Sequence, residues 1–260
     1  MTAVAAEADS VAAGLGQDAP ETGWGEVPLP GGFVLRRHVS DLRVVDVLAA
    51  GVGPAAAATA TTAALTAATA TTTAPTTAAL PAGAARPVPY DLVVSAGIAG
   101  GFPPGAPLGA VVVADAVVAA DLGAQTQDGY LAVEELGFGR SVHRPRAGLV
   151  GAVADALAKD AVRYAVGPVL TVSTVTGTAG RAAELAERHP GAVAEAMEGF
   201  GVAEAAAAFG VPVAEIRAVS NAVGPRDRAA WRIGDALAAL RQAFRLLSHT
   251  VFVDLEGIPQ

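Results

Sequence analysis

The sequence contains no cysteine and a single lysine among its 260 residues. The absence of cysteine excludes disulfide bonds, thiolate metal sites and a cysteine nucleophile. The lysine, Lys159, lies in the polar stretch ALAKDAVRY. A solvated surface charge is expected there, whereas Schiff-base chemistry needs a desolvated amine. We therefore expect no covalent catalysis through sulfur or an amine.

Histidine is also scarce. His38, His143, His189 and His249 show none of the spacings at which two imidazoles bind one metal ion. A metal site would have to rely on carboxylates alone, and no motif implies an organic cofactor. We therefore predict a protein without a metal or a cofactor.

Long apolar runs and clustered positive charge are missing as well. Apolar residues make up 52% of the chain, but no run approaches the roughly 20 residues needed to cross a membrane. The N-terminus MTAVAAEADS lacks the basic region and apolar core of a secretory signal. A net charge of -8 leaves no basic surface for a phosphate backbone. We predict a cytoplasmic protein that binds neither membrane nor nucleic acid.

Short β-rich runs alternate with alanine-rich helical runs, which is the pattern of an α/β sheet with crossover helices. The length fits one domain over residues 1–260. The predicted strands are Phe33–His38, Arg43–Ala50, Asp91–Ser95, Ala110–Ala119, Ala165–Ser173 and Pro212–Ser220. The predicted helices are Ala55–Ala68, Leu149–Lys159, Gly180–Arg188, Val193–Phe209 and Arg228–Thr250, the last with an apolar stripe of Trp231, Leu237, Leu240, Phe244 and Leu247.

Two segments depart from this pattern. The residues after Met1 indicate a turn and a helix, so we expect the chain to begin at the end of its first strand, through truncation or a misassigned start. Residues 55–86 form a low-complexity insertion of Ala and Thr. Its first half favours a helix. Its second half, with Pro75 and Pro81, is expected to be a surface loop, as a tolerated expansion or a partner-binding arm.

Three glycine-bearing segments end predicted strands: LAAGVGP, VVSAGIAGGF and AVSNAVGP. Small residues at strand ends let the backbone approach a ligand, so Ser95 and Gly97 are candidate pocket residues. A dinucleotide site is disfavoured, because Ser95 stands where the first glycine of a G-x-G-x-x-G motif would be.

Several glutamates lie near these segments. Glu198 is flanked by Met197 and Gly199, so it is either a buried carboxylate that binds ribose hydroxyls or an ordinary exposed helix residue. Glu195 and Glu204 fit a solvated face. Glu7 follows the supposed strand end, where it could act on a water or remain a first-turn surface charge.

The segment AMEGFGVAEAAAAFGVPVAEIRAVSN resembles the purine nucleoside phosphorylase and nucleosidase superfamily. In that superfamily a Met-Glu pair on a helix is followed by a strand ending in Ser-Asp or Ser-Asn. The glycine turn VVSAGIAGGF and the acidic turn AVAAE are similar to further family elements. The resemblance implies a three-layer α/β/α fold with a central mixed, twisted sheet. It also implies a homo-oligomer, a dimer or dimer-based.

Within the superfamily the chain is most similar to the futalosine hydrolase family, through ADAVVAADLGAQTQDGY, ELGFG and IRAVSNAVGPR. This implies hydrolysis of futalosine, an inosine-like nucleoside with an aryl-acid extension at C5′, to hypoxanthine and dehypoxanthine futalosine in menaquinone biosynthesis. By the family pattern Glu7 polarises the water and Glu198 holds the 2′ and 3′ hydroxyls, with Met197 packed on the sugar. The backbone of Val175 contacts the purine, and Asn221 is its side-chain partner.

Asn221 stands where adenine-releasing relatives have aspartate. An amide NH₂ can donate to O6 and N7 of hypoxanthine, both of which a carboxylate would repel. The glycine segment carries no arginine to grip phosphate, which favours water as nucleophile. Alternatives are a methylthioadenosine/S-adenosylhomocysteine nucleosidase or a nucleoside-binding module that has lost catalysis. Candidates for the aryl-acid end, which the sequence does not rank, are Phe102, Phe138, Phe200, Arg140, Arg144, Arg146 and Arg226.

Overall fold

The computed structural model describes residues 1–16, 23–40, 43–71 and 90–259. The helices are α1 (Ala5–Leu15), α2 (Pro54–Thr71), α3 (Ala147–Lys159), α4 (Ala179–Arg188), α5 (Gly199–Ala208) and α6 (Ile233–His249). The strands are β1 (Trp24–Pro28), β2 (Val34–Val39), β3 (Val44–Leu48), β4 (Val93–Gly101), β5 (Val111–Ala119), β6 (Gly123–Thr126), β7 (Gly129–Ala132), β8 (Val142–His143), β9 (Tyr164–Thr171), β10 (Ala194–Ala196) and β11 (Val213–Ala222).

The central sheet is mixed and closes on itself. Its strand order is β11, β4, β10, β9, β5, β8, and β11 also pairs with β5, so five strands form a ring with β8 at its edge. β4 runs parallel to β11 and antiparallel to β10. The predicted mixed α/β sheet is confirmed, whereas the ring closure was not predicted. Two smaller antiparallel sheets consist of β1, β2 and β3 and of β6 and β7.

Helices cover both faces of this sheet. One apolar core joins α1, α3 and α6 to the sheet, and a second joins α2 and α5 to it. Val111 and Val113 of β5 belong to the first core, whereas Val112 and Ala114 belong to the second. This alternation is the two-residue period of a strand that is buried on both faces.

The first residues of the chain run beside β3 and β4. The N–H of Thr2 donates to the carbonyl of Leu48 at 2.9 Å, and the N–H of Ala96 donates to the carbonyl of Met1 at 2.8 Å. These bonds bring the start of α1 to the middle of β4. Glu7, in the first turn of α1, therefore lies against the central sheet.

The glycine segment VVSAGIAGGF is a strand, not the turn that the sequence indicated. β4 continues to Gly101, six residues beyond the predicted end at Ser95. A Cβ on Gly101 would overlap the carbonyl oxygen of Ala106. The glycines therefore serve close packing within the strand, which a sequence pattern reads as a turn signal.

The predicted helix Val193–Phe209 is wrong in its first part. Residues 194–196 form β10 between β4 and β9, and α5 begins only at Gly199. Alanine-rich sequence favours a helix, but pairing on both sides overrides that preference. A Cβ on Gly201 would overlap the carbonyl of Pro54, so α5 packs directly on the N-terminus of α2.

Other elements also differ from the predictions. The final helix begins at Ile233, so Trp231 precedes it and does not extend its buried stripe. β1, β6, β7, β8 and β10 were not predicted. In the insertion, α2 continues to Thr71, and Pro75 and Pro81 lie outside the described residues. No helix among the described residues is long and apolar enough to cross a membrane.

Candidate active site

Glu7 is buried at the N-terminus of α1, with 4% of the residue exposed. Its Oε2 accepts hydrogen bonds from the backbone N–H groups of Ala3 at 2.9 Å and Val4 at 3.2 Å. Its Oε1 accepts from the N–H of Ile98 in β4 at 2.8 Å. The interpretation as a surface charge is therefore wrong, because both the helix start and the sheet hold this carboxylate.

Glu198 immediately precedes α5 and is 6% exposed. Its Oε1 accepts from the N–H of Gly53, in the loop before α2, at 3.2 Å. Its Oε2 accepts from Nη1 of Arg217 at 3.1 Å. The alternative of an exposed helix glutamate is wrong, since the carboxylate is enclosed by a loop, a helix start and a strand.

Arg217, in the middle of β11, connects the buried groups, and the sequence reasoning missed it. Its Nε donates to Oε1 of Glu215 at 2.9 Å, and its Nη2 donates to Oγ of Ser95 at 3.0 Å. Burial alone would lower the pKa of the guanidinium, but the carboxylates of Glu215 and Glu198 hold that pKa above its ordinary value.

A signal for this pair was present in the sequence. Glu215 and Arg217 are two residues apart in the otherwise apolar strand VAEIRAVS, so both point to one face of the sheet. Charges in a strand buried on both faces are rare unless they are paired. An alternating Glu-x-Arg in such a strand therefore indicates a buried ion pair.

Glu215 is fully buried beneath Gly199, the first residue of α5. Among the described residues its Oε2 has no hydrogen-bond partner. Burial raises the pKa of this carboxyl, an effect that Arg217 opposes. A Cβ on Gly199 would overlap the carboxylate, so glycine is needed there for the helix to approach β11.

Gly97 of β4 allows the two charged groups to approach the strand. A Cβ at this position would lie 2.6 Å from Oε1 of Glu7 and 2.7 Å from Nη1 of Arg217. Atoms at such distances overlap, so any side chain would displace one of the two groups. The predicted residues Glu7, Glu198, Ser95 and Gly97 therefore meet around Arg217.

Met197 lies beside this cluster. It is half-buried, and its backbone N–H is 3.4 Å from Oε2 of Glu198. This position is consistent with the predicted packing on a sugar held by Glu198. The role itself stays a prediction.

Asn221 lies at the end of β11, four residues beyond Arg217. Its Oδ1 accepts from the hydroxyl of Ser220 at 2.8 Å, and its Nδ2 donates to the carbonyl of Ala222 at 2.9 Å. The pairing with β4 shifts register between Val219 and Asn221. Such an irregularity can redirect a side chain, and Asn221 is half-buried at this point of the strand.

Val175 lies in the loop between β9 and α4 and is exposed. Within the described residues, no hydrogen bond joins Val175 or Asn221 to the Arg217 cluster. The structure thus forms one buried cluster, with Asn221 at the end of β11 and Val175 in the loop after β9.

Glu195 is buried, so the predicted solvated position is wrong. Its Oε1 accepts from the N–H of Thr176 at 2.9 Å, and its Oε2 accepts from the Thr176 hydroxyl. Burial raises the pKa of the Glu195 carboxyl, while these bonds oppose the rise. Glu195 therefore fixes the loop that carries Val175. Glu204, in contrast, is partly exposed and binds Arg140 and His143.

Replacing Glu195 tests whether its carboxylate fixes the loop that carries Val175. We expect Glu195→Ala to destabilise the protein by about 2 kcal/mol, because two buried hydrogen bonds are lost. Glu195→Gln should cost less, because its amide can accept from the Thr176 N–H and donate to the Thr176 hydroxyl. Urea unfolding measures both changes. Equal losses of unfolding free energy in the two variants would contradict a role for the two Thr176 hydrogen bonds.

The pH dependence of these variants has a definite sign. Since the folded pKa of Glu195 is raised, folding favours the protonated carboxyl, and the wild type loses stability as pH rises through that pKa. Glutamine does not titrate. We therefore expect the stability of the wild type relative to Glu195→Gln to fall as pH rises from the ordinary glutamate pKa through the raised one. A difference that does not change with pH would contradict the raised pKa.

Within the described parts of the chain, no group of three or more His, Asp or Glu side chains is arranged to hold a metal ion.

Comparison with known proteins assigns this chain to a family. The family model described as the phosphorylase superfamily matches residues 2–251. A futalosine hydrolase of Streptomyces coelicolor is 58% identical over 245 residues, which cover 93% of this chain and 91% of that protein. A futalosine hydrolase of Acidothermus cellulolyticus is 44% identical over 247 residues, covering 95% and 88%.

A solved structure shows the same fold at low identity. The 5′-methylthioadenosine/S-adenosylhomocysteine nucleosidase of Helicobacter pylori, in complex with butyl-thio-DADMe-Immucillin-A, superposes with a TM-score of 0.75. The match covers 96% of this chain and 95% of that one at 17% identity. The match to the family model and the identity to the Streptomyces and Acidothermus proteins each cover most of the chain. The chain therefore belongs to the futalosine hydrolase family within the phosphorylase superfamily.

Proposed function

We propose that this protein hydrolyses the N-ribosidic bond of futalosine, releasing hypoxanthine and leaving dehypoxanthine futalosine. The observation that carries the proposal is the buried cluster of Glu7, Glu198 and Arg217, in a chain that is 58% identical to a futalosine hydrolase. The contacts of these residues support the roles that we propose for them.

Cleavage of this bond develops positive charge on the ribose and negative charge on the departing base. The C1′–N9 electron pair leaves with the purine, which takes up a proton, while a water oxygen bonds to C1′. Glu7 orients that water and accepts its proton. Three backbone N–H groups hold the Glu7 carboxylate, so it is positioned before the substrate arrives.

Glu198 binds the ribose. Vicinal hydroxyls can donate to its carboxylate, which already accepts from Gly53 and Arg217 and is therefore fixed in place. The same carboxylate adds negative charge near the developing oxocarbenium ion. Ser95 keeps the Arg217 guanidinium in the orientation that serves Glu198.

Water is favoured over phosphate by the charge of this cluster. Glu7, Glu198 and Glu215 surround the one guanidinium of Arg217, and its Nε, Nη1 and Nη2 each donate to a protein oxygen. A phosphate dianion would meet carboxylates without a free pair of donors, and like charges repel. Hydrolysis therefore fits this site better than phosphorolysis.

Asn221 selects the base. One N–H of its Nδ2 donates a hydrogen bond to the carbonyl of Ala222. The other N–H can donate a hydrogen bond to O6 or N7 of a 6-oxopurine. An aspartate there would repel both acceptors. The side chain at residue 221 therefore favours hypoxanthine over adenine as the leaving base.

Exchange of this amide tests base selection. We expect Asn221→Asp to raise kcat/KM for methylthioadenosine relative to inosine by roughly tenfold, since the carboxylate gains a charge-assisted hydrogen bond from adenine and loses the bond that the Asn221 amide donates to hypoxanthine. Asn221→Ala is the matched control and should weaken both reactions without reversing the preference. An unchanged ratio in Asn221→Asp would count against this role.

A substrate panel distinguishes the proposal from its rivals. Release of hypoxanthine from futalosine, with inosine and methylthioadenosine as comparisons, should show the highest kcat/KM for futalosine. Preference for methylthioadenosine would instead indicate the adenosine-type nucleosidase. Binding of nucleosides without release of any base would indicate a binding module.

The proposal also covers the setting of the reaction. The protein would act on a small-molecule nucleoside in menaquinone biosynthesis. The homo-oligomer, the cytoplasmic location and the single nucleosidase domain over residues 1–260 remain predictions from the sequence.

A further inference from the structure

The loop of residues 223–232 follows β11 and folds back onto it. The backbone N–H of Arg232 donates to the carbonyl of Ser220 at 2.7 Å. This bond places Trp231, which is half-buried, beside the strand end that carries Asn221. An indole ring therefore lies at the margin of the proposed nucleoside site.

Two arginines of this loop are arranged about the Trp231 ring. Cζ of Arg226 lies 5.4 Å from the ring centroid, and Cζ of Arg228 lies 5.7 Å from it. At these distances the ring attracts a guanidinium and restricts its orientation. Both arginines are exposed, and neither has an ion-pair partner among the described residues, whereas the neighbouring Arg232 is paired with Asp235 at 2.6 Å.

Arg226 also contacts the loop that carries Val175. Its Cδ lies 3.5 Å from the position that a Cβ on Gly177 would occupy. Its stem therefore joins the loop that follows Asn221 and β11 to the loop that carries Val175. Arg226 is therefore an exposed cation beside the loop that carries Val175.

The other candidates for the aryl-acid end fit less well. Phe102 and Phe200 are buried, and Phe138 is 82% exposed. Arg140 is bound to Glu204. Arg144 and Arg146 follow β8, which lies at the sheet edge and is separated from β11 by β5.

We propose that Arg226 and Arg228, arranged about Trp231, form the subsite for the aryl carboxylate on the 5′ substituent of the substrate. An indole stacks on an aryl ring, and guanidinium groups grip a carboxylate through paired hydrogen bonds. In a chain of net charge -8, two unpaired arginines on one ring are suited to an anionic aromatic group. The inference rests on the proposed hydrolysis of futalosine and assigns the part of the substrate that inosine lacks.

The test compares futalosine with inosine in the double variant Arg226→Gln/Arg228→Gln. We expect kcat/KM for futalosine to fall roughly 30-fold, mainly through KM, because charge-assisted bonds to the carboxylate are lost. The value for inosine should stay within about twofold, since inosine makes no such bonds. Arg232→Gln, which removes an arginine that is already paired with Asp235, is the matched control and should leave both substrates unaffected.

A substrate change on the wild-type protein gives a second readout that does not depend on folding of a variant. The carboxamide analogue of futalosine keeps the aryl ring but has no negative charge. We expect the wild type to prefer futalosine over this analogue by roughly the same 30-fold, and the double variant to lose that preference.

The outcomes separate this inference from the proposed function. If the wild type hydrolyses futalosine but the double variant keeps its preference over inosine and over the carboxamide, the subsite is overturned and the function stands. An equal fall for futalosine and inosine would also overturn it, because the arginines would then act on the nucleoside itself. If the wild type releases hypoxanthine from inosine but not from futalosine, the proposed function and the subsite both fail.

Discussion

Glu7→Gln should lower kcat for futalosine by about three orders of magnitude, because the amide cannot accept a proton from the attacking water. KM should change little, since no substrate contact is assigned to this side chain. The amide also places an NH₂ group against backbone N–H donors of Ala3 and Val4 or of Ile98, so some stability is lost as well. Steady-state kinetics together with thermal unfolding separates the two effects.

Asp9 provides a matched control on the same helix. Its carboxylate is exposed and bound to Arg36 at the surface. Asp9→Asn should retain the wild-type kcat. If Glu7→Gln kept more than about a tenth of the wild-type kcat, less than general-base catalysis usually contributes, Glu7 would not be the base.

Arg217→Gln should give the largest loss of stability, about 3–5 kcal/mol, because it leaves the Glu198 and Glu215 carboxylates buried without their cation. Activity should be lost with it. Arg217→Lys restores the charge but not the three-way donor geometry, so its stability should be intermediate. Urea unfolding measures the free energies.

The loss in Arg217→Gln should shrink at low pH, because burial raises the pKa of the Glu215 carboxyl and its protonated form no longer needs a cation. Arg232→Gln removes the arginine of an exposed ion pair and should change the free energy of unfolding by less than about 1 kcal/mol. A loss in Arg217→Gln no greater than that of Arg232→Gln would show that the buried cluster does not depend on the guanidinium.

The sequence predicted the residues that belong to a local motif but missed one whose contacts form only in the folded chain. Glu198 and Asn221 were predicted because a local motif and a fixed spacing resemble the superfamily. Arg217 was missed because its partners come from three different elements, and only the folded chain brings them together. The Glu-x-Arg alternation in β11 would have indicated it.

The misplacement of Glu195 has a related cause. The alanines around it favour a helix, in which it would face solvent, but residues 194–196 are paired with strands on both sides. That pairing is a long-range property that local preference does not contain.

Most strands and helices of the central sheet were predicted because their apolar residues recur with a regular period. Buried parallel strands and amphipathic helices show clear periodic patterns, so the predicted strands Ala110–Ala119 and Ala165–Ser173 and the predicted helix Leu149–Lys159 were close to the observed β5, β9 and α3. β4 was cut short because its glycines were taken as a turn. Those glycines are needed for close approach of side chains and backbone from other elements, as Gly97 is for Glu7 and Arg217.

The most direct test of the account is the release of hypoxanthine from futalosine by the purified protein in phosphate-free buffer. The buried carboxylates around Arg217 predict one hypoxanthine and one dehypoxanthine futalosine for each futalosine consumed, at a rate that added phosphate does not increase. A reaction that requires phosphate and yields a sugar 1-phosphate, or no release of hypoxanthine at all, would contradict it.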